Sequence, residues 1–138
     1  MRQIQQMFQS HPARFNFKSD EFAACVQALA TCAETCTSCA DACLAEAEVK
    51  WLVACIRTNL DGADICGAAV KILCRQTESK TEFVHGLLGC VTQALRDCAD
   101  ECEVHSSRYE HCRLCALACR GGVERCQLLL DGFELMAA

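Results

Sequence analysis

The sequence predicts an all-α protein: an antiparallel four-helix bundle with a cysteine-lined core and a short extra helix at its N-terminus. Three observations carry that expectation. One Pro and seven Gly among 138 residues, with abundant Ala and few β-branched runs, leave long stretches free of helix breakers. Four stretches of similar length, joined by short breaks, read as an up-down-up-down bundle. Cysteines at 25, 32, 36, 39 and 43 are spaced 7, 4, 3 and 4 apart, which keeps them within about 60° of one helix face at about 100° per residue.

Taken in order, residues 1–10 form a short helix with Ile4, Met7 and Phe8 on one side, stopped by His11-Pro12. Residues 1–18 are thus a short helix and linker, and 19–136 the bundle of one domain spanning 1–138. Ser19 or Asp20 serves as N-cap of a first long helix over 19–47. The second runs over 50–77, with Thr77 to Lys80 as the following turn. The third covers 81–105, with Glu82 in its first turn, where a negative charge suits the helix dipole. His105, Ser106 and Ser107 make the last turn, and Ser107 caps a fourth helix over 108–135.

Composition excludes several functions. A net charge of −5 with scattered Lys and Arg gives no nucleic-acid footprint, and sparse aromatics give no base-stacking platform. No apolar run approaches about 18 residues, so no membrane span is expected. Residues 1–15 lack the apolar core of a secretory signal, so the expected compartment is the reducing cytoplasm, where stable disulfides are rare. Fifteen cysteines, an odd number, also argue against a closed disulfide framework.

The cysteines stack in register. Reflection through each connecting turn sets Cys43 level with Cys55, Cys32 with Cys66, and Cys25 with Cys74. It also sets Cys74 level with Cys90, Cys102 with Cys112, and Cys90 within a turn of Cys126, while Cys36, Cys39, Cys98, Cys115 and Cys119 fill the middle. Cys74 lies about 80° from Cys66 around its helix, and Cys98 the same from Cys90, which sets them toward the core edge. Asn59, four after Cys55, lies on the inward stripe and offers an amide oxygen; Gly62 keeps that face small. Asp61 falls off it.

A single free cysteine is a small, well-buried hydrophobe. Fifteen aligned on four helices call for more, since each thiol in place of Leu gives up methylene burial. Metal–thiolate bonds supply the missing interaction. Thiolate selects Cu(I), Zn(II) or iron–sulfur clusters. The C-x2-C pairs lie inside helices, without the loop that iron–sulfur sites use. Zinc asks for four ligands per site, so a zinc or general thiolate buffer with few tetrahedral sites is the alternative reading. Cu(I) accepts two or three bridging thiolates, and the i,i+4 pairs Cys32–Cys36, Cys39–Cys43, Cys98–Cys102 and Cys115–Cys119 present them on adjacent turns. A redox enzyme or thiol sensor is disfavoured, as no Cys–His–Asp arrangement stands out.

The motifs C-x3-C-x2-C-x3-C at 32–43, C-A-D-E-C at 98–102 and C-x2-C-x3-C at 112–119 together resemble those of the bacterial copper storage proteins, over about residues 19–136. The resemblance implies a non-enzymatic, cytosolic store of many Cu(I) ions shielded from water, assembled as a homo-tetramer, with His and other polar residues at the mouth. His105 continues the Cys98–Cys102 stripe and is expected to cap the thiol column; Tyr109 and His111 lie at the same end, less clearly inward. Phe22, Leu29, Leu87 and Leu129 close the opposite end, and His85 and His11 face solvent. Val53, Ile56 and Leu60 form an outer apolar face that either completes the core or serves as an interface.

Overall fold

The computed structural model of the chain describes residues 2–13 and 19–137. Its elements are α1 (Arg2–Ser10), α2 (Ser19–Ala45), a 3-10 turn (Val49–Leu52), α3 (Val53–Leu73), α4 (Thr81–His105) and α5 (Glu110–Ala137). No strand occurs among the described residues. α2 packs on α3 and α5, and α4 packs on the same two, so α2 and α4 face each other across the bundle diagonal. Residues 14–18 of the expected linker lie outside the described part.

Helix boundaries depart from the pattern at the turns. α2 ends at Ala45 rather than 47, and Val49–Leu52 winds as 3-10 before α3 begins at Val53. That tighter turn lays Leu52, fully buried, across one end of the bundle and leaves Trp51 outside. α3 stops at Leu73, short of 77, because Gln76 folds back and its Nε2 donates to the Leu73 carbonyl at 2.6 Å. Glu78 then adopts a left-handed φ of 53°. α4 matches 81–105. Ser107 does not cap α5, which begins at Glu110; the amides of Arg108 and Tyr109 instead close the turn on the His105 carbonyl at 3.1 and 3.0 Å.

The core has two chemistries along its axis. At the α1 end it is hydrocarbon: Phe22, Leu29, Leu73, Leu88, Val91, Leu129 and Phe133 are all buried. α1 seals that end through Phe8, whose ring meets Phe22 edge-on at 5.7 Å. Met7, expected beside Phe8, is exposed. Burying a side chain of this size contributes roughly 1.5–3 kcal/mol, so this plug stabilises the fold without help from sulfur. From Cys25 to Cys43 the core turns to thiols.

Candidate metal centre

Each helix delivers one strip of this lining. α2 buries Cys25, Cys32, Cys36, Cys39 and Cys43 along one stripe, and α3 buries Cys55, Asn59, Gly62 and Cys66. α4 contributes Cys98 and Cys102, and α5 contributes Cys112, Cys115, Cys119 and Cys126, all of them fully buried. Gly62 leaves room for Cys36, whose Sγ would stand 3.4 Å from a Cβ there. At Gly122 a Cβ would stand 2.8 Å from Cys32 Sγ, so the bare backbone of α5 makes space for that sulfur.

The sulfurs sit at spacings that suit a shared ion. Cys36 Sγ lies 3.6 Å from Cys119, 3.8 Å from Cys115 and 3.9 Å from Cys98. Cys55 Sγ lies 3.7 Å from Cys102 and 4.0 Å from Cys112, and Cys25 is 3.9 Å from Cys126. With metal–sulfur bonds of about 2.3 Å, the edge of a trigonal or tetrahedral sulfur set is ~3.8–4.0 Å. Three groups bring their ligand atoms within 4.8 Å of one another: Cys36, Cys98, Cys115 and Cys119; Cys39, Cys102 and Cys115; and Cys39, Cys43, Cys112 and His111. Cys39 and Cys115 each belong to two groups, so the sets run into one another along the axis.

Asn59 sits among the thiols with no solvent exposure. Its Oδ1 accepts from Cys115 at 3.0 Å and Cys98 at 3.1 Å, and its Nδ2 donates to Cys55 Sγ at 3.4 Å. An amide both gives and accepts without carrying charge. It therefore satisfies thiols from three helices in a core that could not hold an unpaired carboxylate cheaply.

At the mouth, His111 Nδ1 lies 3.3 Å from Cys39 Sγ and 3.6 Å from Cys112 Sγ. Its Nε2 donates to Glu46 Oε2 at 2.9 Å, and Tyr109 stacks on the ring at a centroid distance of 5.7 Å. A cleft of about 280 Å³ between α2 and α5, lined by Glu34, Thr35, Ser38, Cys39, His111 and Leu114, opens onto this point.

The electrostatics oppose free thiolates. Burial pushes the Cys43 thiol up to about 11 and raises Cys112 and Cys74. The hydrogen bond to Cys126, with burial, raises Cys25. Cys32 and Cys98 donate their protons to the Ala118 carbonyl and to Asn59 Oδ1, at 3.1 Å each, and those bonds hold the neutral thiols. For His111, desolvation lowers the imidazole pKa, but bonds to Cys39 and Glu46 outweigh it and the net shift is upward. A cation entering this core replaces protons as it binds.

Several expected positions move. Cys98, set at the core edge by its angle, is fully buried, whereas Cys90 on the same helix is exposed on the outside. Eight residues advance a helix by about 80°, so only one of that pair can face the axis. Cys74 is half-buried, just past the end of α3, and Cys25 meets Cys126 rather than Cys74. Reflection through turns relates only helices adjacent in sequence and misses the α2–α5 contact. His105 pairs with Glu101 at 3.3 Å, one turn back on its own helix, instead of meeting a thiol. A side chain in the last turn of a helix leans toward the preceding one. His111, expected at this end but less clearly inward than His105, is the histidine that meets the thiols. Asp61, as expected, lies outside, paired with Arg57 at 3.2 Å. Glu46 and Gly122 carried no sequence signal: one lies in a turn, and the other needs the packed geometry to matter.

The family model for copper storage proteins matches residues 18–131. The copper storage protein Ccsp of Streptomyces lividans, loaded with 10 copper equivalents, superposes with a TM-score of 0.92 at 38% identity, over 94% of this chain and 98% of its own. A structure of a cytosolic copper storage protein from Streptomyces lividans carrying five coppers gives 0.80 at 41% identity, over 81% and 93%. The Cu(I)-bound copper storage protein 3 of Bacillus subtilis gives 0.69 at 34% identity, over 78% and 95%.

Proposed function

The chain belongs to the copper storage protein family, and we propose that it stores about ten Cu(I) ions as thiolate clusters along the axis of its bundle. The observation that carries this is the run of sulfurs at 3.6–4.0 Å spacing, shared between overlapping groups rather than closed into separate sets. The ligands are Cys25, Cys32, Cys36, Cys39, Cys43, Cys55, Cys66, Cys98, Cys102, Cys112, Cys115, Cys119 and Cys126, with His111 at the mouth. Asn59 lines the centre. Cys90 and His105 are left out of the set, and Cys74 stands at its margin. The capacity is supported by the relative loaded with 10 copper equivalents.

The family is one of storage proteins rather than an enzyme class. The cytoplasm is the proposed compartment: one relative is described as cytosolic, and no helix among the described residues is long and apolar enough to cross a membrane. Assembly into a homo-oligomer, the tetramer implied by the sequence resemblance, is part of the proposal. Trp51, Val53 and Leu60 stand exposed at 67%, 63% and 46% along the 3-10 turn and α3 and offer it an apolar face. Sedimentation of the metal-free protein tests that part.

The central test is an anaerobic Cu(I) titration of reduced protein against a competing cuprous chelator. A break near ten ions per chain supports the store. A break at one or two sinks it and favours a zinc site, for which Cys36, Cys98, Cys115 and Cys119 offer a tetrahedral set.

A further inference from the structure

We propose that Glu46 is a positioning residue for copper uptake: its carboxylate accepts from Nε2 and so fixes the His111 ring with Nδ1 as the nitrogen that faces the thiols. The proposal rests on His111 ligating at the mouth, and it adds the group that makes this possible. Glu46 lies one residue beyond α2, in a turn pinned by its own amide donating to the Cys43 carbonyl at 3.2 Å. His111 lies in the first turn of α5, on the facing helix. Glu46 Oε2 and His111 Nε2 are 2.9 Å apart, with side chains 31% and 25% exposed, so the pair sits half out of water.

A carboxylate only accepts hydrogen bonds. The ring must therefore donate from Nε2, and in its neutral form the single proton is on that nitrogen. Nδ1 is left with a lone pair directed between Cys39 Sγ at 3.3 Å and Cys112 Sγ at 3.6 Å. Without Glu46 the ring could equally place its proton on Nδ1 and present an N–H to the incoming cation. Tyr109 stacks at an interplanar angle of 27° and holds the ring plane. Arg108, which lies over Tyr109 and reaches Glu48 at 3.0 Å, braces that stack from outside. Ligating histidines are commonly held this way, and loss of the outer partner costs 10–100-fold in metal affinity.

The test uses the full chain labelled with 15N-histidine. Two-bond proton–nitrogen correlations read the His111 tautomer in the metal-free protein, before any copper is added. The expected result is a proton on Nε2 in the wild type and a mixture of tautomers in Glu46→Ala. Titration with buffered Cu(I) then follows the Nδ1 resonance. Half-shift should need about tenfold more free Cu(I) in Glu46→Ala. Glu46→Gln, whose amide oxygen can accept the same bond, should restore the wild-type tautomer and most of the affinity. Total copper capacity and helical content should stay unchanged in both variants, since Glu46 lies outside the core. A wild-type ring protonated on Nδ1 overturns the proposal, as does a Glu46→Ala protein with unaltered tautomer and affinity. An Nδ1 resonance that stays fixed while the protein fills with copper overturns the ligand reading of His111 itself, and the tautomer already in hand separates that failure from the first.

Discussion

Gly121 and Gly122 are neighbours in the middle of α5, and the structure gives them opposite environments. A Cβ at Gly121 meets nothing within 4 Å, whereas one at Gly122 falls 2.8 Å from both Cys32 Sγ and Leu95 Cδ1. Gly→Ala in a helix interior gains about 1 kcal/mol at either site. At position 122 each neighbour must retreat by about 1 Å to reach ordinary contact, and Leu95 is itself fully buried. Overpacking of that kind costs about 1–3 kcal/mol. Gly121→Ala should therefore gain up to about 1 kcal/mol, and Gly122→Ala should run from neutral to about 2 kcal/mol destabilised. Their Tm values should differ by roughly 3–15 °C for a domain of this size. Thermal melts of the two metal-free variants, compared directly, cancel the propensity gain and isolate the contact. The same displacement moves Cys32, whose thiol donates to the Ala118 carbonyl at 3.1 Å, so Gly122→Ala should also hold one or two fewer Cu(I) ions than Gly121→Ala. Equal Tm and equal copper counts in the pair would refute the close approach of α5 to Cys32.

Asn59→Asp places a carboxyl where no cation waits in the metal-free protein. Its folded pKa must rise above the unfolded value of about 3.9. The folded state then holds the extra proton between those values, so stability should fall by up to about 1.4 kcal/mol per pH unit as pH rises. Urea melts at pH 5 and 7.5 should show that loss, and a flat profile counts against the neutral core. Cys90→Ser should leave copper capacity unchanged and stability within about 0.5 kcal/mol, while removing the first thiol to react with an alkylating reagent; a lost copper would return Cys90 to the ligand set. Glu78→Gly relieves a left-handed φ of 53° and should raise stability by about 0.5–1 kcal/mol; a lower Tm would place the strain elsewhere.

The all-α bundle and most of the lining were legible because both follow from a period. The spacing of 7, 4, 3 and 4 on α2 requires one face, and all five sulfurs are buried on it. Periodicity ranks positions on one helix but does not choose between two stripes about 80° apart, and so Cys90 and Cys98 came out reversed. Nor does it see across the bundle. The pairs Cys25–Cys126 and Cys36–Cys98 join helices with no turn between them. At the mouth the histidine continuing the stripe, His105, turned to Glu101, and the one reached by packing α5 on α2, His111, met the thiols. Helix phase alone cannot weigh a local carboxylate against a distant sulfur.

The division of the core into hydrocarbon and sulfur also bears on how a store can be emptied. Small metal-dependent domains fold only when the ion binds, because the ion supplies the energy that their cores lack. Here Phe8, Phe22, Leu29, Leu73, Leu88 and Phe133 close one end without any sulfur, and the thiols of the other end satisfy one another and Asn59 in the neutral state. The fold therefore does not have to come apart when the cargo leaves. Cargo bound to the folded state still adds stability by mass action, but that gain is separate from the hydrocarbon that holds the helices in register. The frame already holds these sulfurs 3.6–4.0 Å apart, so loading calls for proton exchange and small rotamer shifts rather than refolding.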